Sequence, residues 1–168
     1  MTKQKVLNLW GGLQAVSELP GAKWAYGVAR NIEKLRSEVE ALQKAYTASE
    51  EFVAYENQRI ELAQKYSIKK KGVPQTVKVG QTTEYLIADQ DKFNQELIKL
   101  QKKYKKAIDE RQKQIDDFNE ILKEEVEIDL YKIFSDYIPE GITPAQLSVI
   151  MPVISEKDKE DLTKVLGS

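Results

Sequence analysis

The chain has no cysteine and no histidine among its 168 residues. The first absence excludes a disulfide framework, a thiolate metal site and a cysteine nucleophile, and leaves the chain indifferent to redox compartment. The second removes together the commonest general base near neutral pH and the commonest metal ligand, so serine-histidine and cysteine-histidine catalysis are excluded. Glycine and proline are scarce, at eight and five residues. Gly11 and Gly12 lack the spacing and following lysine of a phosphate-cradling loop. No stretch approaches the ~18 apolar residues of a membrane span. The opening MTKQKVLNLWGG lacks a sustained apolar region, so neither a signal peptide nor a membrane partner is expected, and cytoplasm is the default location. Charge of one sign is missing too. With 26 basic residues against 27 acidic ones, the chain as a whole offers no electrostatic attraction for nucleic acid, which is not the expected partner. No cofactor is expected, and no enzymatic activity.

What remains is 41% apolar and 32% charged residues, the balance of long helices with charged outer faces around an extended core. Residues 3–18 place Val6, Leu9, Leu13 and Val16 at helical spacing, with a kink expected at the two glycines. After Pro20 and Gly21, residues 22–66 read as one helix of ~68 Å. Its seam runs Val28, Ile32, Leu35, Val39, Leu42, Tyr46, Ser49, Val53, Glu56, Ile60 and Ala63. A second helix, capped by Asp89 or Asp91 and reaching about residue 124, carries Phe93, Leu97, Leu100, Tyr104, Ile108, Arg111, Ile115, Phe118 and Leu122. Folded back antiparallel, the seams mate where facing residue numbers sum to about 157. Tyr46 then stacks on Arg111, Ser49 faces Ile108 and Val53 faces Tyr104.

Residues 67–88, too long for a bare turn, read as a β-hairpin in which 75–79 and 82–87 flank Gly80 and Gln81. Residues 125–132 alternate strictly, with Val126, Ile128 and Leu130 on one face, and predict a strand whose only candidate neighbour in the remaining chain is 133–138. Thr143 with Pro144 predicts a short helix stopped by Pro152, and Ser155 with Asp158 predicts a last helix to about Leu166. The fold class is therefore mainly α in one domain. A long antiparallel coiled-coil hairpin (35–66 and 89–118) carries a small β-hairpin at its tip (67–88). Both termini (1–34 and 119–168) form a compact α/β head around Trp10, Trp24, Leu147, Ile150, Met151, Val153 and Ile154.

Acids at Glu124, Glu125, Glu127 and Asp129, or at Asp116 and Asp117, have the chemistry of a divalent-metal or acid-base site, but on so charged a chain they are first of all solvated faces, and no metal is expected. Lys69 to Lys71 with Lys102, Lys103, Lys105 and Lys106, near Tyr66 and Tyr104, form the corresponding case for nucleic acid; opposite charges balance them. The candidate partner-binding residues are Val126, Ile128 and Leu130, which need a strand neighbour, with Trp10 and Trp24 as aromatic anchors whose alternative role is core packing.

The segments LPGAKWAYGVARNIEKLRSEVEAL, FNEILKEEVEIDLYKI and ITPAQLSVIMPVI resemble, in that order, a group of small helical proteins of tailed bacteriophages and prophages with a Glu-Val-Glu motif near the C-terminus. The resemblance implies a phage origin, synthesis in the host cytoplasm with the virion as a further location, and no established enzymatic activity, hence no catalytic residue to carry over. The expected function is a structural or assembly component acting through protein-protein contacts, as a homo-oligomer or with another phage component. The alternative is a host-directed effector that inhibits a bacterial defence or host enzyme. The helix, β-hairpin, helix plan is also similar to that of prefoldin-type chaperones, which lack the head.

Overall fold

A computed structural model describes residues 1–156; the helix expected from Ser155 to Leu166 lies almost wholly outside the described residues. The protein is mainly helical, with three small two-stranded sheets among the described residues. The chain divides into two compact units, one joining Met1–Ala45 to the chain from Phe118 onward, the other Tyr46–Asp117.

The first unit holds the main core. Helix α1 (Lys3–Ala15) is capped by the Thr2 side chain and runs unkinked through both glycines. The reason is packing: a Cβ on Gly12 would sit 2.6 Å from Cγ1 of Val149 in α6 (Pro144–Ile150), so the glycine lets the two helices close up. Helix α2 (Ala22–Tyr46) buries Trp24, Val28, Leu35, Val39 and Leu42 at steps of three, four and seven. Its Gly27 serves the same purpose, since a Cβ there would lie 2.5 Å from Cγ1 of Ile133. Ile133 opens β5 (Ile133–Phe134), which pairs in parallel with β6 (Ile154–Ser155). Thr143 caps α6 with Pro144 at its first position, as expected, and Gln146 completes a capping box with it; Pro152 falls in a 3-10 turn that ends the helix. Val6, Leu9, Leu13, Val16, Ile150 and Val153 complete the core. Each such burial contributes roughly 1.5–3 kcal/mol relative to exposure.

The second unit is built differently. The helix expected over 22–66 is interrupted at residues 47–49, where Ser49 leaves the seam and caps α3 (Glu50–Tyr66) by accepting from Phe52 N at 3.2 Å. The helix expected over 89–124 is divided at Tyr104 into α4 (Gln90–Lys103), capped by Asp89, and α5 (Lys105–Ile121). The Arg111 guanidinium lies 4.4 Å from the Tyr46 ring centroid, the pair that the sequence brings together. It also lies 5.8 Å from Phe52, so the interruption gains little height along the partner helix. Beyond it the phase has moved: Tyr55 rather than Val53 meets Tyr104, at 5.9 Å between centroids, and Val53 is 48% exposed. Helices α3 and α4 pack side by side in opposite directions, with Tyr66 against Phe93 where the pair ends.

Between these helices the chain makes two hairpin arms. The expected one is β3 (Thr76–Val79) with β4 (Thr82–Tyr85), turning at Gly80 and Gln81. The other, β1 (Lys69–Lys70) with β2 (Val73–Pro74), turns at Lys71 and Gly72, both left-handed at φ 51° and 80°, as a tight two-residue hairpin turn requires. Where the arms meet, three backbone amides bond in a ring. Ile68 N donates to Leu86 O, Leu86 N to Gln75 O, and Gln75 N to Ile68 O, at 2.6, 2.9 and 2.8 Å.

Candidate functional site

The alternating segment after α5 carries the candidate contact residues, and the structure places all of it in the first unit. It begins as a short antiparallel bridge to the N-terminus. Lys3 N donates to Glu124 O at 2.9 Å, Val126 N to Met1 O at 2.8 Å, and the Met1 ammonium to Val126 O at 2.9 Å. Lys3 Nζ sits 2.8 Å from Glu124 and 3.7 Å from Glu38. The hydrogen bond to Glu124 is the main cause holding its ammonium above the usual lysine range.

The expected strand over 125–132 does not extend further. The N-terminal partner turns into α1 at Lys3, and of residues 133–138, the neighbour expected, Ile133–Phe134 is taken by β6 while Ser135–Tyr137 forms a 3-10 turn. Side-chain alternation needs only one buried face, whereas a ladder needs a second chain. Val126, Ile128 and Leu130 do face inward, half-buried against the core.

Helix α2 holds the segment by side chains instead. The Lys34 ammonium bonds the Asp129 carbonyl and, at 2.8 Å, its carboxylate, which keeps that carboxyl below the ordinary aspartate range. Asn31, fully buried, accepts from Tyr131 N at 2.8 Å and donates to Tyr131 O at 2.9 Å and Gly27 O at 3.0 Å. These two contacts were not foreseen. The available signal was a polar residue at i, i+4 from a glycine on the apolar side of α2.

Between these anchors, the backbone N–H and C=O of Glu127, Ile128 and Leu130 have no hydrogen-bond partner among the described residues. In an extended chain successive residues point their polar groups to opposite sides. Ile128 and Leu130 thus continue the edge that Val126 shares with Met1, and Glu127 faces a groove of about 360 Å³ lined by Lys34, Ser37 and Glu38 of α2. Outward stand the exposed Glu125, Glu127 and Asp129. The arrangement is an anchored segment with an unpaired backbone edge and an acidic outer face.

The tryptophans divide. Trp24 is fully buried with its indole donating to Val16 O at 3.2 Å, which assigns it to the core and removes it from the contact set. Trp10 is half-buried against the same core. No group of three or more Asp or Glu side chains placed to hold a metal occurs among the described residues. No described helix is long and apolar enough to cross a membrane. Of the lysines on the paired helices, Lys105 and Lys106 engage Asp109 and Glu110 of their own helix, and Lys103 lies over the Tyr104 ring at 4.9 Å. Lys69, Lys70, Lys71 and Lys78, on the hairpin arms, are exposed and make no ion pair among the described residues. No family model, curated protein or solved structure matches the chain.

Proposed function

We propose that the protein is a non-enzymatic binding protein of phage origin, a structural or assembly component that joins its partner by adding a strand to the open edge at residues 127–130. One observation carries this: the segment is fixed by its side chains, through Asn31, Lys34 and the half-buried Val126, Ile128 and Leu130, while its backbone edge is left unfilled. Such an edge gains main-chain hydrogen bonds on contact without reorganising first. The phage origin, and with it the host cytoplasm or virion as the place of action, rests on the sequence resemblance. Antiparallel packing of α3 on α4 supports the finer architecture of a coiled-coil hairpin with a β tip.

Light scattering across a concentration range, read beside hydrogen-deuterium exchange, tests the proposal. Association above the monomer mass of 19.3 kDa, with exchange slowed at residues 127–130, is the expected result. Ile128→Pro, which deletes one edge N–H, is expected to lose both. Exchange at 127–130 that stays fast at every concentration and in extracts of phage-infected cells overturns the proposal.

A further inference from the structure

Charge is distributed unevenly along this nearly neutral chain. Residues 58–108 carry twelve Lys and Arg against five Asp and Glu, a net of seven positive charges, so the remainder is eight negative. The basic stretch includes both hairpin arms. The β3–β4 arm is a two-stranded sheet with four residues a side, and neither of its outer edges is paired among the described residues. It also leaves Val77 43% and Val79 51% exposed, and Lys78 stands on it without an ion pair among the described residues. The open edge of the first unit has complementary properties. Within residues 127–130 it presents the unpaired backbone of Ile128 and Leu130, and Glu125 and Glu127 on its outer face have no ion pair among the described residues, while Lys34 already neutralises Asp129.

We infer that the strand completing the 127–130 edge is the β3–β4 arm of a second copy of this chain. This rests on the function proposed above and names its partner. Opposite charge brings the arm to the edge and fixes which way it lies, Lys78 and the lysines 69–71 of the neighbouring β1–β2 arm meeting Glu125 and Glu127. Main-chain hydrogen bonds then join the two sheets, and Val77 and Val79 lose water in the contact. Because each chain carries one arm and one edge, the contact closes either reciprocally, as a two-fold dimer in which arms are exchanged, or head to tail, as a ring or filament.

Exchange of charge tests this. The arm variant Lys70→Glu with Lys78→Glu, and the edge variant Glu125→Lys with Glu127→Lys, change only exposed side chains. Each alone is expected to associate at least about tenfold more weakly than the wild type. Mixed together, or combined in one chain, they restore opposite charges at the contact and are expected to recover association and the slow exchange at 127–130. If the arm variant associates as the wild type does, with 127–130 still protected, the edge takes another occupant; this inference falls and the proposed function stands. If single and combined variants are equally weak, charge pairing between arm and edge is wrong. A monomeric wild type whose 127–130 amides become protected only when duplex DNA or a foreign protein is added overturns the second-copy partner. If nothing protects those amides, the function falls with it.

Discussion

The two units of this chain reach order by different means. Among its described residues the first buries twelve apolar side chains, Trp24, Leu9, Leu13 and Ile133 included, and one asparagine whose side-chain hydrogen bonds are made. The second buries only Tyr55 and Ala107 among its apolar residues, and Val53, Ile60 and Ile98 are 40–50% exposed along helices that pack in a single layer. Two helices side by side have only one seam to hide, so what the second unit lacks in burial must come from caps, ring contacts, short-range ion pairs and the backbone ring at the base of its arms. A dense core tolerates surface change and fails when emptied, whereas a thin seam responds to each local contact in small increments. The low burial of the second unit leaves apolar and cationic side chains such as Val77, Val79 and Lys78 exposed on its arm.

The difference is broken most forcefully from the core side. Trp24→Ala empties the largest fully buried side chain and removes its bond to Val16 O. It is expected to destabilise the first unit by about 3–5 kcal/mol. Chemical denaturation monitored at the remaining Trp10 measures this. A loss below about 1 kcal/mol would mean that the core closes over the gap, contrary to the rigidity argued for it.

The polar anchor comes next. Asn31→Leu keeps the volume but leaves Tyr131 N and O without their partner inside the unit, and is expected to cost roughly 1–3 kcal/mol. Faster amide exchange at Tyr131 and through residues 127–130 accompanies it, because beyond the Met1–Val126 bridge the segment then hangs on Lys34 and its apolar side chains. A drop in stability with unchanged exchange there would show that Asn31 serves the core and does not anchor the edge.

In the second unit effects shrink. Arg111 donates to Tyr46 O at 2.6 Å and to Gln114 Oε1 at 2.7 Å while stacking on Tyr46, and so bridges the interruption before α3. Arg111→Met keeps an apolar stem and loses the cation, for an expected cost of about 1 kcal/mol from the stacking and a further loss from its hydrogen bonds to Tyr46 O and Gln114. Thermal melting of residues 46–117, followed by exchange, would detect it; an unchanged melt would make the guanidinium a passenger.

How legible these features are in the sequence follows from their range. Local rules suffice for the Thr143 cap with Pro144 behind it, the Asp89 cap, and the β3–β4 turn at Gly80 and Gln81, because each is decided within four residues. The Tyr46–Arg111 pair is legible because periodicity brings it together before any interruption. The break at 47–49 is harder: Thr47, Ala48 and Ser49 fit the heptad by position, and only the capping preference of Ser49, followed by Glu50 and Glu51, argues for a helix start. The β1–β2 arm is hidden because lysine in a left-handed turn is not a turn signal. At the candidate edge, alternation in 126–130 gives the facing of its side chains correctly, but pairing depends on where α1 begins and on β6, far away in sequence.

The smallest effect is electrostatic and tests the thin unit by pH. The Asp89 carboxylate caps α4, taking a hydrogen bond from Lys92 N at 3.1 Å and pairing with its ammonium at 2.9 Å. The side-chain bond to Lys92, followed by the backbone bond, holds the carboxyl below its ordinary value. A depressed folded pKa contributes stability that is complete above the unfolded value, near 3.8, and is lost as pH falls through the lower folded value. Asp89→Asn preserves a good capping residue but cannot titrate or pair with Lys92. Its melting temperature near neutral pH is expected to lie slightly below that of the wild type, and the two to converge below about pH 4 as the wild type loses the Asp89 contribution. Glu96, lowered by Lys99, and Asp129, lowered by Lys34, still titrate in the variant, so some acid sensitivity remains. Parallel declines for the two proteins would mean that the cap holds α4 equally well protonated, and that the thin seam, rather than its charged termini, limits the second unit in acid.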